Sequence, residues 1–221
     1  MLTVHHLNNS RSQRVLWLLE ELEVPYEIVR YQRQPNMRAP AELVAVHPLG
    51  KSPVITDNGN TIAESGAIIE YIVDSYGEGR LIPPAKTSER LRYSYWLHYA
   101  EGSAMPPLFL KLLFTVMPKR TPALLRPVVR KVSNQALTAL VNPLLKQHMA
   151  FWEGELGKSL WFAGNEFTAA DIQMSFPLEA AAARAGLEQG HPKAMAYLDR
   201  IHARPAYARA LEKGGPYQVG R

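Results

Sequence analysis

Two short segments of alternating character, Val54-Ile55-Thr56-Asp57 and Asn60-Thr61-Ile62-Ala63, stand on either side of Asn58-Gly59. Asn-Gly takes the positive φ values of a two-residue hairpin loop more readily than other dipeptides, and so tight a loop makes its flanking strands antiparallel neighbours. The N-terminal part of the chain is thereby committed to a sheet. Alternation supplies its other strands: residues 2–7 set Leu2, Val4 and His6 against Thr3, His5 and Leu7, and residues 26–31 set Tyr26, Ile28 and Arg30 against Glu27, Val29 and Tyr31. Between them Val15, Leu18, Leu19 and Leu22 share one stripe, with Glu20, Glu21 and Glu23 facing away, so residues 11–23 read as a helix that Pro25 stops. After the hairpin, Ala67, Ile68, Tyr71 and Ile72 form the inner face of another helix that ends before Gly77. The order is βαβ, a short irregular or helical link, then ββα.

Gly77, Gly79, Pro83 and Pro84 crowd the clearest break in the chain. We expect one domain over residues 1–80, a linker over 81–88 and a helical domain over 89–221. In the latter, residues 89–105 carry Leu91, Tyr95, Leu97, Tyr99 and Ala100, and Pro106-Pro107 is expected to interrupt that helix. A long helix from about residue 134 or 143 to 156 turns Leu144, Leu145, Met149 and Trp152 inward. Thr168-Ala169-Ala170-Asp171 has the capping-box pattern, with Asp171 placed to bond back to the start of its helix.

Composition narrows the chemistry. A chain of 221 residues with 47% apolar residues buries a substantial core. Its net charge of +5 is spread rather than gathered in an arm, which suits a small anionic ligand better than nucleic acid. The absence of cysteine excludes disulfides, thiolate metal sites and a protein thiol as nucleophile. No secretion signal is expected at Met1-Leu2-Thr3-Val4-His5-His6, and the apolar run 108–114 contains Lys111 and falls well short of the ~18 uncharged residues of a spanning helix. His5 and His6 point to opposite faces of a strand, and His47 stands alone in a Pro-Leu-Gly turn, so no metal is expected.

One region has the makings of a ligand pocket. Pro53 lacks an N–H and opens a strand, which leaves the backbone N–H and C=O of Ser52 available to a ligand strand, the more so if the Ser52–Pro53 bond is cis. Glu64-Ser65 stands at a helix mouth, where backbone N–H groups favour a carboxylate and the Glu64 side chain can receive an ammonium. An amino-acid head group carries both charges.

Four pieces, in this order and spacing, resemble the glutathione transferase family, bacterial-like and serine-type: Ser10-Arg11-Ser12-Gln13-Arg14-Val15-Leu16-Trp17, Pro48-Leu49-Gly50-Lys51-Ser52-Pro53, Glu64-Ser65, and Phe167-Thr168-Ala169-Ala170-Asp171-Ile172. The resemblance covers nearly the whole chain. It implies a fold of α/β plus all-α class, with an N-terminal thioredoxin-like domain and a C-terminal helical bundle. It also implies a cytoplasmic homodimer that detoxifies by conjugating glutathione to small, mostly apolar electrophiles, with reduction of organic hydroperoxides as a neighbouring activity. Neither a metal, nor nucleic acid, nor a membrane is implied. A binding or stress-regulatory protein that kept the fold and lost the chemistry is the alternative.

Residue by residue, the resemblance implies Ser10 as hydrogen-bond donor to the glutathione sulfur. Lowering a thiol pKa from ~8.5 by ~2 units takes about 2.7 kcal/mol of thiolate stabilisation. Ser12 and Asn9 are alternative donors, and Ser10 with Gln13 also fits a capping box, a purely structural role. Ser52 would hold the cysteinyl backbone beside Pro53, Lys51 or Arg38 the glycyl carboxylate, and Glu64 and Ser65 the γ-glutamyl end, Ser65 doubling as a helix cap. Glu101 would approach the ammonium from the helical domain. Tyr99, Phe109, Leu112 and Phe114 are the expected walls of the electrophile site. Lys111, Lys119, Arg120, Arg126, Arg130 and Lys131 read as an exposed basic face that also favours anionic electrophiles.

Overall fold

The computed structural model describes residues 1–36 and 38–217. Its N-terminal elements are β1 (Leu2–Leu7), α1 (Ser12–Leu22), β2 (Tyr26–Tyr31), α2 (Ala41–Val46), β3 (Val54–Asp57), β4 (Asn60–Ala63) and α3 (Ser65–Tyr76). Sheet order is β2-β1-β3-β4, with β1 parallel to β2 and antiparallel to β3, and β3 antiparallel to β4. Asn58 and Gly59 take φ of 48° and 79°, as the hairpin requires. Central β1 buries Leu2, Val4 and Leu7, and His5 and His6 with them.

Helix α1 lies against the sheet, α3, α8 and α10, which explains why every residue from Ser12 to Leu22 except Glu21 is buried. The expectation that Glu20 faces solvent is therefore wrong. Glu20 lies under α10 and accepts hydrogen bonds from Tyr26 Oη at 2.7 Å, Arg209 Nε at 2.9 Å and Lys213 Nζ at 2.5 Å. Charge-assisted bonds of this kind offset the cost of burying a carboxylate.

The helical part comprises α4 (Ser88–Tyr99), α5 (Met105–Arg120), α6 (Arg126–Ala136), α7 (Asn142–Leu156), α8 (Ala169–Arg184), α9 (Pro192–His202) and α10 (Pro205–Gly214). Pro106-Pro107 does not break the chain's helical course. A π-helical turn over Ala100–Ala104 runs α4 into α5, and the Met105 N–H bonds to the Ala100 carbonyl five residues back. Both prolines then fall in the first turn of α5, where a missing N–H costs little. A second π-helical turn, Leu137–Val141, joins α6 to α7 and places Pro143 in the first turn of α7. Helix α8 is central. It packs on α1, α3, α4, α5 and α9, and its capping box between Thr168 and Asp171 is formed. Among the described residues no helix is long and apolar enough to cross a membrane.

Candidate active site

A cavity of about 810 Å³ opens where the approach to β3, the mouth of α3 and the π-helical turn after α4 meet. Gly50 shapes the first wall. Its φ is 53°, and a Cβ there would sit 2.8 Å from Val44 Cγ2, so neither the backbone conformation nor the space tolerates a side chain. The chain then passes Lys51 and Ser52 to Pro53, all on the wall, and the Ser52–Pro53 peptide is cis.

The mouth of α3 departs from the expected cap. Glu64, not Ser65, holds the N-cap position, at φ 71° and with no side-chain cap bond. Ser65 is the first helical residue. Its Oγ accepts from Arg14 Nη2 at 3.3 Å and Gln173 Nε2 at 3.4 Å and donates to Glu101 Oε1 at 3.4 Å. Neither side chain is spent on capping, and both line the cavity.

Arg14 organises this end. It is 2% exposed, donates from Nη1 to the Gln173 carbonyl at 2.5 Å and pairs from Nη2 with Glu101 at 2.5 Å, while Arg11 Nε reaches the same carboxylate at 3.1 Å. Burial raises the Glu101 carboxyl, but the Arg14 and Arg11 charges outweigh it and hold it below the ordinary carboxylate range. Glu101 therefore presents a fixed anion beside Glu64, and Arg38 and Lys51 present cations elsewhere on the same wall.

The serines after β1 form a chain of hydroxyls leading inward. Ser10 Oγ donates to Ser52 Oγ at 3.2 Å, accepts from the Ser12 N–H at 3.2 Å and lies 2.7 Å from Ser12 Oγ, which is 2.8 Å from His6 Nδ1. Ser10 sits just behind the cavity wall, one hydrogen bond from Ser52; Ser12 is deeper and fully buried. The capping box drawn for Ser10 and Gln13 is not formed. Helix α1 begins at Ser12 with Arg11 at its N-cap, and both polar atoms of the Gln13 amide are buried without a partner among the described residues.

Tyr99, Phe109, Leu112 and Phe114 are not brought to this cavity. Tyr99 is packed among Trp96, Tyr95 and Phe151 and hydrogen-bonded to His148. Phe114 lines a separate pocket between α5 and α6, Phe109 is exposed, and Leu112 is half-buried. Arg38, Lys51, Ser52, Pro53, Glu64, Ser65 and Glu101 do meet at the cavity, as does His47, a residue the sequence reading leaves without a task.

This combination of sheet order, helical domain and polar cavity has close counterparts. The model of the glutathione S-transferase N-terminal domain matches residues 1–74, and that of the C-terminal domain matches residues 116–205. The chain belongs to the glutathione S-transferase family. Glutathione S-transferase 3 of Schizosaccharomyces pombe is 36% identical over 213 residues, covering 96% of this chain and 88% of its own. Glutathione S-transferase 1 of Saccharomyces cerevisiae is 33% identical, covering 96% of this chain and 95% of its own. A glutathione S-transferase crystal structure from Actinobacillus pleuropneumoniae aligns with a TM-score of 0.79 at 32% identity, covering 100% of this chain and 96% of its own.

Within this transferase, sequence reasoning missed Arg14 and Gln173 as supports of the site. Arg14 had a visible signal. It precedes Leu18 by one helical turn and so shares the stripe buried against the core, and a cation there requires a partner. Gln173, far off in the chain, carried no comparable signal.

Proposed function

We propose that this glutathione transferase seats the γ-glutamyl end of glutathione between Glu64, Ser65 and Glu101, its cysteinyl backbone on Ser52, and its glycyl carboxylate toward Lys51 and Arg38. Ser10 donates a hydrogen bond to the sulfur and stabilises the thiolate, which attacks a small, mostly apolar electrophile. The observation that carries this reading is the charge lining one cavity, the carboxylates of Glu64 and of Glu101, the latter held by Arg14 and Arg11, together with the cations of Arg38 and Lys51. Glutathione has matching groups, an ammonium and two carboxylates. Of the serines, Ser10 is favoured over Ser12 because it is the one bonded to Ser52 on the wall.

The chain works as a cytoplasmic homodimer in detoxification, with hydroperoxide reduction by the same thiolate. Exposed Leu91 and Tyr95 on α4, the latter stacked on Tyr99, support pairing through that face. Residues 1–80 form the glutathione-binding unit, 81–88 the linker and 89–221 the helical unit. Rate comes from proximity and from stabilising the thiolate's charge. The test is to titrate the ultraviolet absorbance of glutathione thiolate at saturating ligand on the parent protein and on Ser10→Ala. The parent should lower the thiol pKa well below its value in free glutathione and the variant should restore it. Bound glutathione that titrates like the free tripeptide on both proteins would refute the assignment.

A further inference from the structure

The cavity carries more basic groups than the single glycyl carboxylate of glutathione calls for, and two loops on either side of α2 gather them. The Gln34 N–H bonds to the Arg38 carbonyl at 3.0 Å, which folds the first loop so that Arg33 and Arg38 stand at its two ends. The Gly50 N–H bonds to the His47 carbonyl at 2.8 Å and closes the second loop, with Lys51 next in the chain. The two loops touch, since a Cβ built on Gly50 would lie 3.3 Å from Ala39 Cβ, beside Arg38. Arg33, Arg38, His47 and Lys51 therefore converge on one stretch of wall, and all four line the cavity.

Among the described residues, the acids that line the cavity belong elsewhere. Glu64 stands at the mouth of α3, and Glu101, on the π-helical turn, is held by Arg14 and Arg11. Glu42, the acid of α2 itself, is exposed and is not on the cavity wall. His47 adds a second sign of a missing group: its Nδ1 is buried without a hydrogen-bond partner among the described residues, although the residue lines a ligand cavity. A buried polar atom left unmet is costly, and a carboxylate oxygen meets it when Nδ1 carries the proton. Glutathione brings one glycyl carboxylate to Lys51, Arg38 and this imidazole, with Arg33 beside them. Space allows more, because about 810 Å³ lies toward the top of the ~300–1,000 Å³ range of small-ligand pockets.

We propose that this stretch of wall selects the third residue of the peptide, so that a γ-glutamyl tripeptide thiol ending in a dicarboxylate, such as γ-glutamylcysteinylglutamate, is used in preference to glutathione. This rests on the seating of the γ-glutamyl end at Glu64, Ser65 and Glu101 and of the far carboxyl end toward Lys51 and Arg38. The main-chain carboxylate stays with those two cations, and the added side-chain carboxylate lies against His47 and Arg33. The sulfur, its donor and the electrophile are the same for either peptide. The gain is therefore uniform binding: KM for the peptide falls while kcat holds. Charges this open to water return little each, and a preference of about three- to tenfold is expected at low ionic strength.

The experiment compares three peptides on one enzyme, with a single uncharged aryl halide as electrophile: glutathione, γ-glutamylcysteinylglutamate and its uncharged isostere γ-glutamylcysteinylglutamine. Glutamine matches glutamate in size, so the ratio of their kcat/KM values reads the charge. The parent should favour the glutamate peptide about three- to tenfold over each of the others, through KM, and the preference should shrink in about 0.5 M KCl. In His47→Leu and in Arg33→Gln the glutamate-to-glutamine ratio should fall toward one; taken on a single protein, that ratio does not depend on how much of it is folded. A ratio near one in the parent, with glutathione conjugated, overturns the proposal and leaves the glutathione reading intact. A preference that persists unchanged in salt, or in both variants, also overturns it. If the parent conjugates none of the three peptides, the seating of glutathione fails and this selection with it. Should a variant not fold, the parent's ratio and its response to salt decide alone.

Discussion

Removing the Asp171 carboxylate should destabilise the protein by an amount that shrinks as pH rises. Asp171 is fully buried at the start of α8, where its oxygens accept from the Phe162 N–H at 2.9 Å, the Thr168 N–H at 2.9 Å and the Thr168 hydroxyl at 3.0 Å. Asp171→Ala loses the reciprocal cap, about 1–2 kcal/mol, and leaves the Phe162 N–H buried without an acceptor, about 1–2 kcal/mol more. Burial, against the pull of these donors, pushes the Asp171 pKa up to about 6 from an ordinary 3.8. The folded state therefore holds the proton more tightly than the unfolded chain, and the resulting stability is complete below pH 3.8 and lost as pH rises through about 6. Between pH 5 and 7 the parent gives up about 1 kcal/mol that the alanine variant never had. The expected destabilisation is about 3 kcal/mol at pH 5 and about 2 kcal/mol at pH 7. Urea unfolding followed by tryptophan fluorescence at fixed protein concentration measures it. With a slope of about 3 kcal/mol per M, the midpoint falls by about 1 M at pH 5 and by somewhat less at pH 7. Coincident midpoints at pH 5, or a gap that widens with pH, would refute the reasoning.

Glu101→Gln, which removes the fixed anion at the mouth of α3, should raise the KM for glutathione about 10–100-fold, the equivalent of a lost charge-assisted bond, with kcat changed by less than about threefold. Steady-state kinetics check this, and an unchanged KM would mean that Glu101 serves only to neutralise Arg14. At Gly214 an added Cβ would lie 2.3 Å from Gln13 Oε1 and 2.9 Å from Leu16 Cδ1, both ends of side chains that can yield. Gly214→Ala should therefore cost only about 1–2 kcal/mol and lower the thermal midpoint by about 2–6 °C in calorimetry; an unaltered midpoint would show that α10 is not seated firmly on α1.

What could be read from the sequence was whatever local rules decide. The strands 2–7 and 26–31, the hairpin at Asn58-Gly59 and the box at Thr168 and Asp171 depend on neighbours a few residues apart, and the structure has them at those places. The misreadings arose where a distant element overrides a local preference. Ser10 and Gln13 have the spacing of a capping box, yet Ser10 is held by Ser52 across the cavity wall, and the helix starts two residues later. Glu20 reads as solvent-facing on α1 alone and becomes buried only when α10 covers it with Arg209 and Lys213. Pro106-Pro107 reads as a break because a uniform α-helix cannot carry it in mid-course, and the π-helical turn before it has no pattern comparable to a cap. Phe109, Leu112 and Phe114, expected to wall an electrophile site, do not line the polar cavity. Gly50, Pro53, Glu64 and Ser65, each at a strand or helix boundary that local sequence marks, do line one cavity.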